Sequence, residues 1–136
     1  IAVGTPSRRG DGHADLSYVY AAAEEIAGLI EGFTVVVTKS TVPVGTGDEI
    51  ERIIRERRPD ADFAVVSNPE FLREGRALYD NLHPWRIVVG ERSERARDFA
   101  QRLVRASRKP DVPVLLTEST EAEAIAAGFR KAGNCR

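Results

Sequence analysis

The sequence predicts an α/β fold built on a doubly wound parallel sheet. Five short apolar runs do not alternate with polar residues, which is typical of parallel strands buried on both faces. Amphipathic helical patterns lie between the runs, and the connections are short and polar. A length of 136 residues with 42% hydrophobic content fits one globular domain.

The five apolar runs are the predicted strands, at residues 1–4, 33–38, 63–67, 87–90 and 112–117. The first run opens the chain without a preceding turn, and the sequence contains no methionine. We therefore expect a fragment whose sheet is incomplete at the N-terminus.

Capping residues and apolar periodicity locate the first two helices. Asp15 is predicted to cap a helix with Leu16, Val19, Ala23, Ile26 and Ile30 on one face. Thr46 opens the second helix, and Glu49 three residues later completes the pattern of a capping box. The apolar face of that helix would consist of Ile50, Ile53 and Ile54.

Three further helices follow the same signals. One is predicted to begin at Asn68, with Pro69 at the first helical position, where the missing N–H costs nothing. Another starts near Ser93, and a last one starts around Thr120 with Glu123 three residues on. The face of the helix near Ser93 would contain Ala96, Phe99, Ala100 and Leu103.

Charge and cysteine content exclude several classes of protein. Twenty Lys+Arg against 21 Asp+Glu give a net charge of -1, so no global field would attract nucleic acid or an anionic membrane. A single cysteine excludes an internal disulfide framework. The sequence shows neither a signal peptide nor an apolar run of bilayer length. We expect a cytoplasmic protein with no nucleic-acid or membrane partner.

Ligands of doubly wound sheets bind outside the carboxyl ends of the strands. Thr5 follows the first run, and the stretch "KSTVPVGT" after the second offers hydroxyls, glycines and a helix N-terminus. These groups could form a cradle for an anion or a ribose. Alternatively, Thr46 is only a cap and Gly45 only a turn residue.

The stretch "SNPEFLREG" follows the third run and carries two glutamates. On the predicted helix, Glu70 and Glu74 would share a face near the N-terminus, where acidic side chains suit the helix dipole. A carboxylate at this position is also a suitable proton acceptor for an alcohol, and its partner could hold a polar ligand. His83 and Trp85 precede a strand, at the wrong end of a parallel sheet for a site, so they are interpreted as structural or surface residues.

Three stretches, "IAVGTPSRRGDGHADLSYV", "TVVVTKSTVPVGTGDEI" and "VVSNPEFLREG", closely resemble the UDP-glucose/GDP-mannose dehydrogenase family in order and spacing. The resemblance runs over residues 1–125. It implies the C-terminal part of an NAD-binding Rossmann domain, from an enzyme that oxidises the C6 alcohol of a nucleotide sugar in two steps. It further implies NAD as cofactor, a role in polysaccharide biosynthesis and a homo-oligomeric parent protein.

The resemblance assigns roles to individual residues. Thr5 and Thr41 match positions that contact NAD, and Thr41 also matches a threonine that helps to hold a catalytic water. Glu70 matches a glutamate that acts as general base or orients water, and Glu74 matches one that contacts the cofactor. The segment that would line the nucleotide-sugar site consists of Glu70, Phe71, Leu72, Arg73 and Glu74.

The chain also departs from the family pattern. It lacks the glycine-rich dinucleotide loop, and Ala126 and Arg130 stand where the family has a catalytic lysine and asparagine. We expect residues 126–136 to be a divergent tail, of the kind produced by a frameshift, in which Cys135 cannot be the family's nucleophile. The chain alone is therefore predicted not to turn over substrate. The alternative is a non-catalytic Rossmann-like remnant or an interaction module.

Overall fold

The strands and helices are taken from a computed structural model that describes residues 1–8, 10, 12–107 and 112–128. The four strands are β1 (Thr34–Thr38), β2 (Phe63–Ser67), β3 (Ile87–Gly90) and β4 (Val114–Thr117). The five helices are α1 (Ser17–Leu29), α2 (Thr46–Arg57), α3 (Ala77–Leu82), α4 (Glu94–Ser107) and α5 (Ser119–Ala126). Helices and strands alternate along the chain from α1 onward, which confirms the predicted α/β class.

The four strands form one sheet in the order β1-β2-β3-β4. β1 pairs with β2 in parallel, and β3 pairs with β4 in parallel, as predicted. β2 and β3, however, run antiparallel, with Ser67 opposite Gly90. A parallel crossover needs a helix long enough to carry the chain back along the strand, whereas the six residues of α3 span only about 9 Å.

The last residues of the four strands form a continuous row across the sheet. Thr38 lies opposite Ser67, Ser67 opposite Gly90, and Gly90 opposite Thr117. The carboxyl ends of all four strands therefore meet along this row, even though β3 and β4 approach it from the direction opposite to β1 and β2.

Residues 1–4 do not form the predicted strand, and this part of the prediction is wrong. The Ile1 nitrogen donates to the Val37 carbonyl at 2.5 Å, and Lys39 N–H donates to the Ile1 carbonyl at 2.8 Å, so one residue does pair with β1. The strand pairing stops there because Val3 bonds a side chain instead of β1. The Ser40 hydroxyl accepts from Val3 N–H at 2.9 Å and donates to Val3 O at 2.7 Å.

Apolar side chains are buried on both faces of the sheet. One face of β1 and β2 packs against α1 and α2, with Val36, Ile50 and Ile54 almost fully buried. Val66 and Val89 lie on the other face with Ala96 of α4. Each such aliphatic side chain contributes about 1.5–3 kcal/mol when fully buried. Burial on both sides explains why the strands show no polar alternation.

The predicted caps are right in part. The Ser93 hydroxyl accepts from Ala96 N–H at 3.1 Å, which confirms the start of α4. Asp15 accepts from Ser17 N–H at 3.0 Å, one residue ahead of the formal cap of α1.

Both predicted capping boxes are wrong. Glu49 does not return to the start of α2, because its carboxylate pairs with Arg52 at 2.6 Å on the exposed side of the helix. Glu123 likewise turns away from the start of α5, where the structure shows no side-chain cap. Both carboxylates thus have partners elsewhere.

The helix predicted to begin at Asn68 is also wrong. Residues 68–73 are not helical, a turn follows at 74–76, and α3 begins only at Ala77. Asn68 cannot cap a helix because its side chain bonds Lys39 and the Val88 carbonyl instead. Glu70 and Glu74 therefore do not share a helical face.

Candidate functional site

A cavity of about 200 Å³ opens at the carboxyl ends of β1 and β2. The loop that follows β2 forms one wall, and the segment between α3 and β3 forms the other. The lining residues are Lys39, Asn68, Pro69, Glu70, Phe71, Leu72, Asp80, Asn81, Pro84, Trp85, Arg86 and Ile87. The cavity lies where ligands bind in doubly wound sheets.

Asn68 connects three strands at the base of this cavity. Its backbone N–H donates to Thr38 O at 2.9 Å, and its Nδ2 donates to Val88 O at 2.8 Å. Its Oδ1 accepts from Lys39 Nζ at 3.1 Å. Since Asn68 is buried and its amide is held at both ends, it fixes the direction in which the Lys39 side chain points.

Lys39 and Glu70 provide opposite charges in the cavity. Lys39 is half-buried, and this burial lowers the pKa of its ammonium, while the negative charge of Glu70 acts in the opposite direction. Glu70 itself is exposed at the cavity wall. The pair offers an accessible carboxylate that can accept a proton, and a nearby cation that can stabilise an oxyanion.

Phe71, Trp85 and Arg86 form an aromatic and cationic wall. The rings of Phe71 and Trp85 meet edge to face with centroids 6.1 Å apart. Trp85 is largely exposed, as expected of a surface residue, but the inference that it lies at the far end of the sheet from the candidate site is wrong, since it lines the cavity. Because β3 runs antiparallel to β2 and the two strands pair at their last residues, the start of β3 lies beside the segment that follows β2.

Arg73 and Glu74 do not line the cavity. The Arg73 guanidinium binds Asp80 through Nε at 2.9 Å and Nη2 at 2.6 Å, and the Arg73 N–H donates to the same carboxylate at 3.1 Å. This pairing lowers the pKa of Asp80 to about 2. Glu74 is exposed in the turn that follows. Of the predicted substrate segment, the structure therefore brings Glu70, Phe71 and Leu72 to the cavity.

Thr5 and Thr41 lie together, outside the cavity lining. The Thr5 hydroxyl donates to the Thr41 carbonyl at 3.1 Å. Thr41 is exposed just after the carboxyl end of β1, so its hydroxyl is accessible to a ligand. The structure thus places Thr5 and Thr41 together, apart from the cavity that Glu70, Phe71 and Leu72 line.

The start of α2 is already occupied by a carboxylate. Glu123 of α5 accepts from Gly45 N–H at 2.6 Å and from Gly47 N–H at 2.7 Å. Burial raises the pKa of Glu123, and the two backbone donors partly offset that rise. Thr46 donates to Pro43 O at 2.6 Å. The N–H groups predicted here to bind an anion therefore bind the carboxylate of Glu123. The sequence does not reveal this contact, because Glu123 also fits the pattern of a local cap for its own helix.

Most of the chain is similar to one family of proteins. Residues 1–107 match the UDP-glucose/GDP-mannose dehydrogenase family, NAD binding domain. This chain belongs to that family. It is 62% identical over 127 residues to the UDP-glucose 6-dehydrogenase of Rhizobium meliloti (strain 1021), covering 92% of this chain and 29% of the relative.

Solved dehydrogenases share the fold. A UDP-glucose dehydrogenase from Pyrobaculum islandicum superimposes with a TM-score of 0.85 at 44% identity, covering 93% of this chain and 29% of that one. A GDP-mannose dehydrogenase from Pseudomonas aeruginosa gives 0.82 at 32% identity, covering 93% and 30%. The chain therefore spans less than a third of the length of these dehydrogenases.

Membership of this dehydrogenase family indicates NAD as the cofactor, as the motif resemblance implied. Thr5 is half-buried and Thr41 is exposed, so the hydroxyl of Thr41 is the more accessible of the two to a ligand. The start of α2 does not fit the pyrophosphate, because Glu123 already occupies its N–H groups. Among the described residues, no helix is long and apolar enough to cross a membrane.

Proposed function

We propose that residues 1–125 are the C-terminal part of the NAD-binding Rossmann domain of a nucleotide-sugar dehydrogenase. The parent enzyme oxidises the C6 alcohol of UDP-glucose, or of a related nucleotide sugar, to the uronic acid in two steps. The observation that carries this proposal is the cavity in which Asn68 orients Lys39 across from Glu70. It offers an accessible proton acceptor beside a cation at the expected end of the sheet.

In this proposal Glu70 accepts the proton of the alcohol, or orients water in the later hydrolysis. Phe71 and Leu72 contact the sugar nucleotide from the cavity wall. NAD+, when bound, accepts the hydride. Thr5 and Thr41 bind the cofactor from the end of β1, and Thr41 helps to hold the water.

The proposed roles of Arg73 and Glu74 require a change from the present geometry. Arg73 would bind substrate only after leaving Asp80, to which it is now joined by three hydrogen bonds. Glu74 would reach the cofactor from its exposed turn. In the present geometry, neither residue lines the cavity.

The remaining features of the parent enzyme are proposals by family membership. They are a cytoplasmic location, a homo-oligomeric state and a role in polysaccharide biosynthesis. Ala126, the last residue of α5, stands at the family's lysine position and carries no group that could act as an acid or a cation. Arg130 and Cys135 lie outside the described residues. We therefore expect the 136-residue chain to bind ligand without turnover.

Trp85 provides the test. It is the chain's single tryptophan and it lines the cavity, so its fluorescence should respond to a ligand there. We expect UDP-glucose to change the emission saturably and NAD+ to protect the chain against thermal unfolding. Glu70→Gln should weaken the UDP-glucose response, whereas the matched substitution Glu25→Gln, on the exposed side of α1, should not.

The second candidate function is that of a non-catalytic interaction module. An exposed apolar group on and after α3 favours it, since Leu78, Leu82 and Trp85 are 75%, 55% and 64% exposed. An absence of any response to NAD+ and UDP-glucose, together with self-association in sedimentation, would favour this candidate. Production of NADH by the purified chain would contradict the expected lack of turnover.

A further inference from the structure

Arg86 has an unusual environment in the cavity wall. Its guanidinium carbon lies 4.4 Å from the centroid of the Phe71 ring and 4.1 Å from that of Trp85. Both contacts are within the range of favourable cation–π interactions. The two rings hold the planar group in place without supplying hydrogen-bond acceptors for it.

The Arg86 charge has no compensating carboxylate among the residues that the structure describes. Its Nε is buried without a hydrogen-bond partner. Asp80 also lines the cavity, but both of its oxygens bind Arg73. Glu70 acts on Lys39 rather than on Arg86.

A buried guanidinium N–H without a partner is costly, because no hydrogen bond repays the desolvation of that donor. Burial accordingly lowers the pKa of Arg86, with no anion acting against that change. The planar fork of arginine matches the oxygens of phosphate and carboxylate groups. An oxyanion that enters the cavity could therefore pair with the Arg86 guanidinium, which the two rings already hold in place.

We propose that Arg86 binds an oxyanion of the ligand that occupies this cavity, with the Trp85 ring beside it as a stacking surface. The chemistry required is a phosphate or carboxylate group attached to a body flat or apolar enough to contact the indole. The diphosphate of a nucleotide sugar and the carboxylate of a uronic acid both qualify. Only this choice of ligand rests on the proposed function, and the oxyanion site itself does not.

The test uses the complete 136-residue chain and Trp85 fluorescence. Inorganic pyrophosphate, UDP, UDP-glucose and glucuronate are titrated separately, so that the response to phosphate is distinguished from the response to carboxylate. We expect Arg86→Gln to weaken binding of the effective oxyanion about tenfold or more, because a hydrogen-bonded charge is lost. Arg86→Lys keeps the charge without the fork and should recover part of that loss.

Arg95 supplies a matched control. Its guanidinium also lies over an aromatic ring, 3.7 Å from the centroid of Phe33, but it is paired with Asp62 at 3.1 Å and does not line the cavity. Arg95→Gln should leave all four titrations unchanged. Far-ultraviolet circular dichroism of each variant confirms that binding is compared between folded chains.

The outcomes separate this inference from the proposed function. If UDP-glucose binds equally well to the wild type and to Arg86→Gln, the dehydrogenase proposal stands and the role of Arg86 is refuted. If pyrophosphate binding depends on Arg86 but UDP-glucose binds no better than pyrophosphate, the oxyanion site stands and the proposed substrate does not. If the wild type responds to none of the four compounds, the oxyanion site is refuted.

Discussion

A carboxylate oxygen of Glu123 accepts a hydrogen bond at 2.7 Å from the backbone N–H of Gly47, which lies 76 residues earlier in the chain. The other oxygen accepts from Gly45 at 2.6 Å. The first turn of α2 is thus capped by a side chain of α5, and the negative charge lies at the positive end of the helix dipole. The loop that carries Thr41 leads directly into this capped turn.

Removal of this cap should destabilise the fold. Glu123→Ala leaves the N–H groups of Gly45 and Gly47 without their acceptor, and the loss at the buried Gly47 alone costs about 1–3 kcal/mol. We expect a loss of about 2 kcal/mol or more in the free energy of unfolding, measured by urea denaturation. Glu25→Ala, on the exposed side of α1, should change it by less than about 0.5 kcal/mol. Equal losses at the two positions would contradict the capping role.

The ionisation of Glu123 should make stability fall as pH rises. Its folded-state pKa is raised above the ordinary 4.5, so the folded chain holds this proton more tightly than the unfolded chain does. The stabilisation from protonation is fully present below pH 4.5 and is lost as pH rises through the folded-state pKa. Glu123→Gln should remove that decline from a plot of unfolding free energy against pH. An unchanged slope in this variant would show that other groups cause it.

The ionisation of Asp80 should make the stability of the fold rise with pH in the acid range. Its pKa is lowered from 3.8 to about 2, chiefly by the hydrogen bonds with Arg73. The folded chain therefore releases this proton more readily, and its stabilising contribution is present above pH 3.8 and lost as pH falls toward 2. Asp80→Asn should flatten the acid limb of the same plot. A variant as acid-sensitive as the wild type would argue against this ion pair.

Gly90 should not tolerate a side chain. A Cβ there would lie 2.6 Å from Ala122 Cβ, 2.7 Å from Glu118 O and 2.7 Å from Ser119 Cα, so α5 would have to move away from the sheet. We expect Gly90→Ala to cost about 1–3 kcal/mol or more in thermal or chemical unfolding. Gly28→Ala on α1 meets open space and should instead stabilise by about 0.5–1 kcal/mol. A neutral Gly90→Ala would show that α5 packs more loosely against β3.

Much of the fold could be predicted from local sequence. The bounds of β2 and β3 were predicted correctly, because their apolar runs are short and end at polar or turn residues. The start of α2 at Thr46 was also correct. The hydrogen-bond partners of the Asn68 and Glu123 side chains could not be predicted from local sequence. Periodicity describes neighbours along the chain, whereas both side chains bind backbone groups of distant elements.

The candidate site shows the same division. The position of Glu70 beyond the end of β2 followed from the sheet rule, and the structure indeed places it at a cavity there. Trp85 was missed because strand direction was assumed to be parallel throughout. Arg86 gave no signal at all, since nothing in a sequence shows that an arginine lacks a carboxylate partner.

The single backbone pair between β2 and β3, Ser67 opposite Gly90, divides the sheet into two parallel halves. Side chains connect these halves instead, through Asn68 to the Val88 carbonyl and Glu123 to the start of α2. The two halves should consequently open as separate cooperative units, each with its own amide hydrogen-exchange rate. Side-chain substitutions at the boundary would then change how the halves are coupled without disturbing either ladder, and the cavity that spans both would open and close with them.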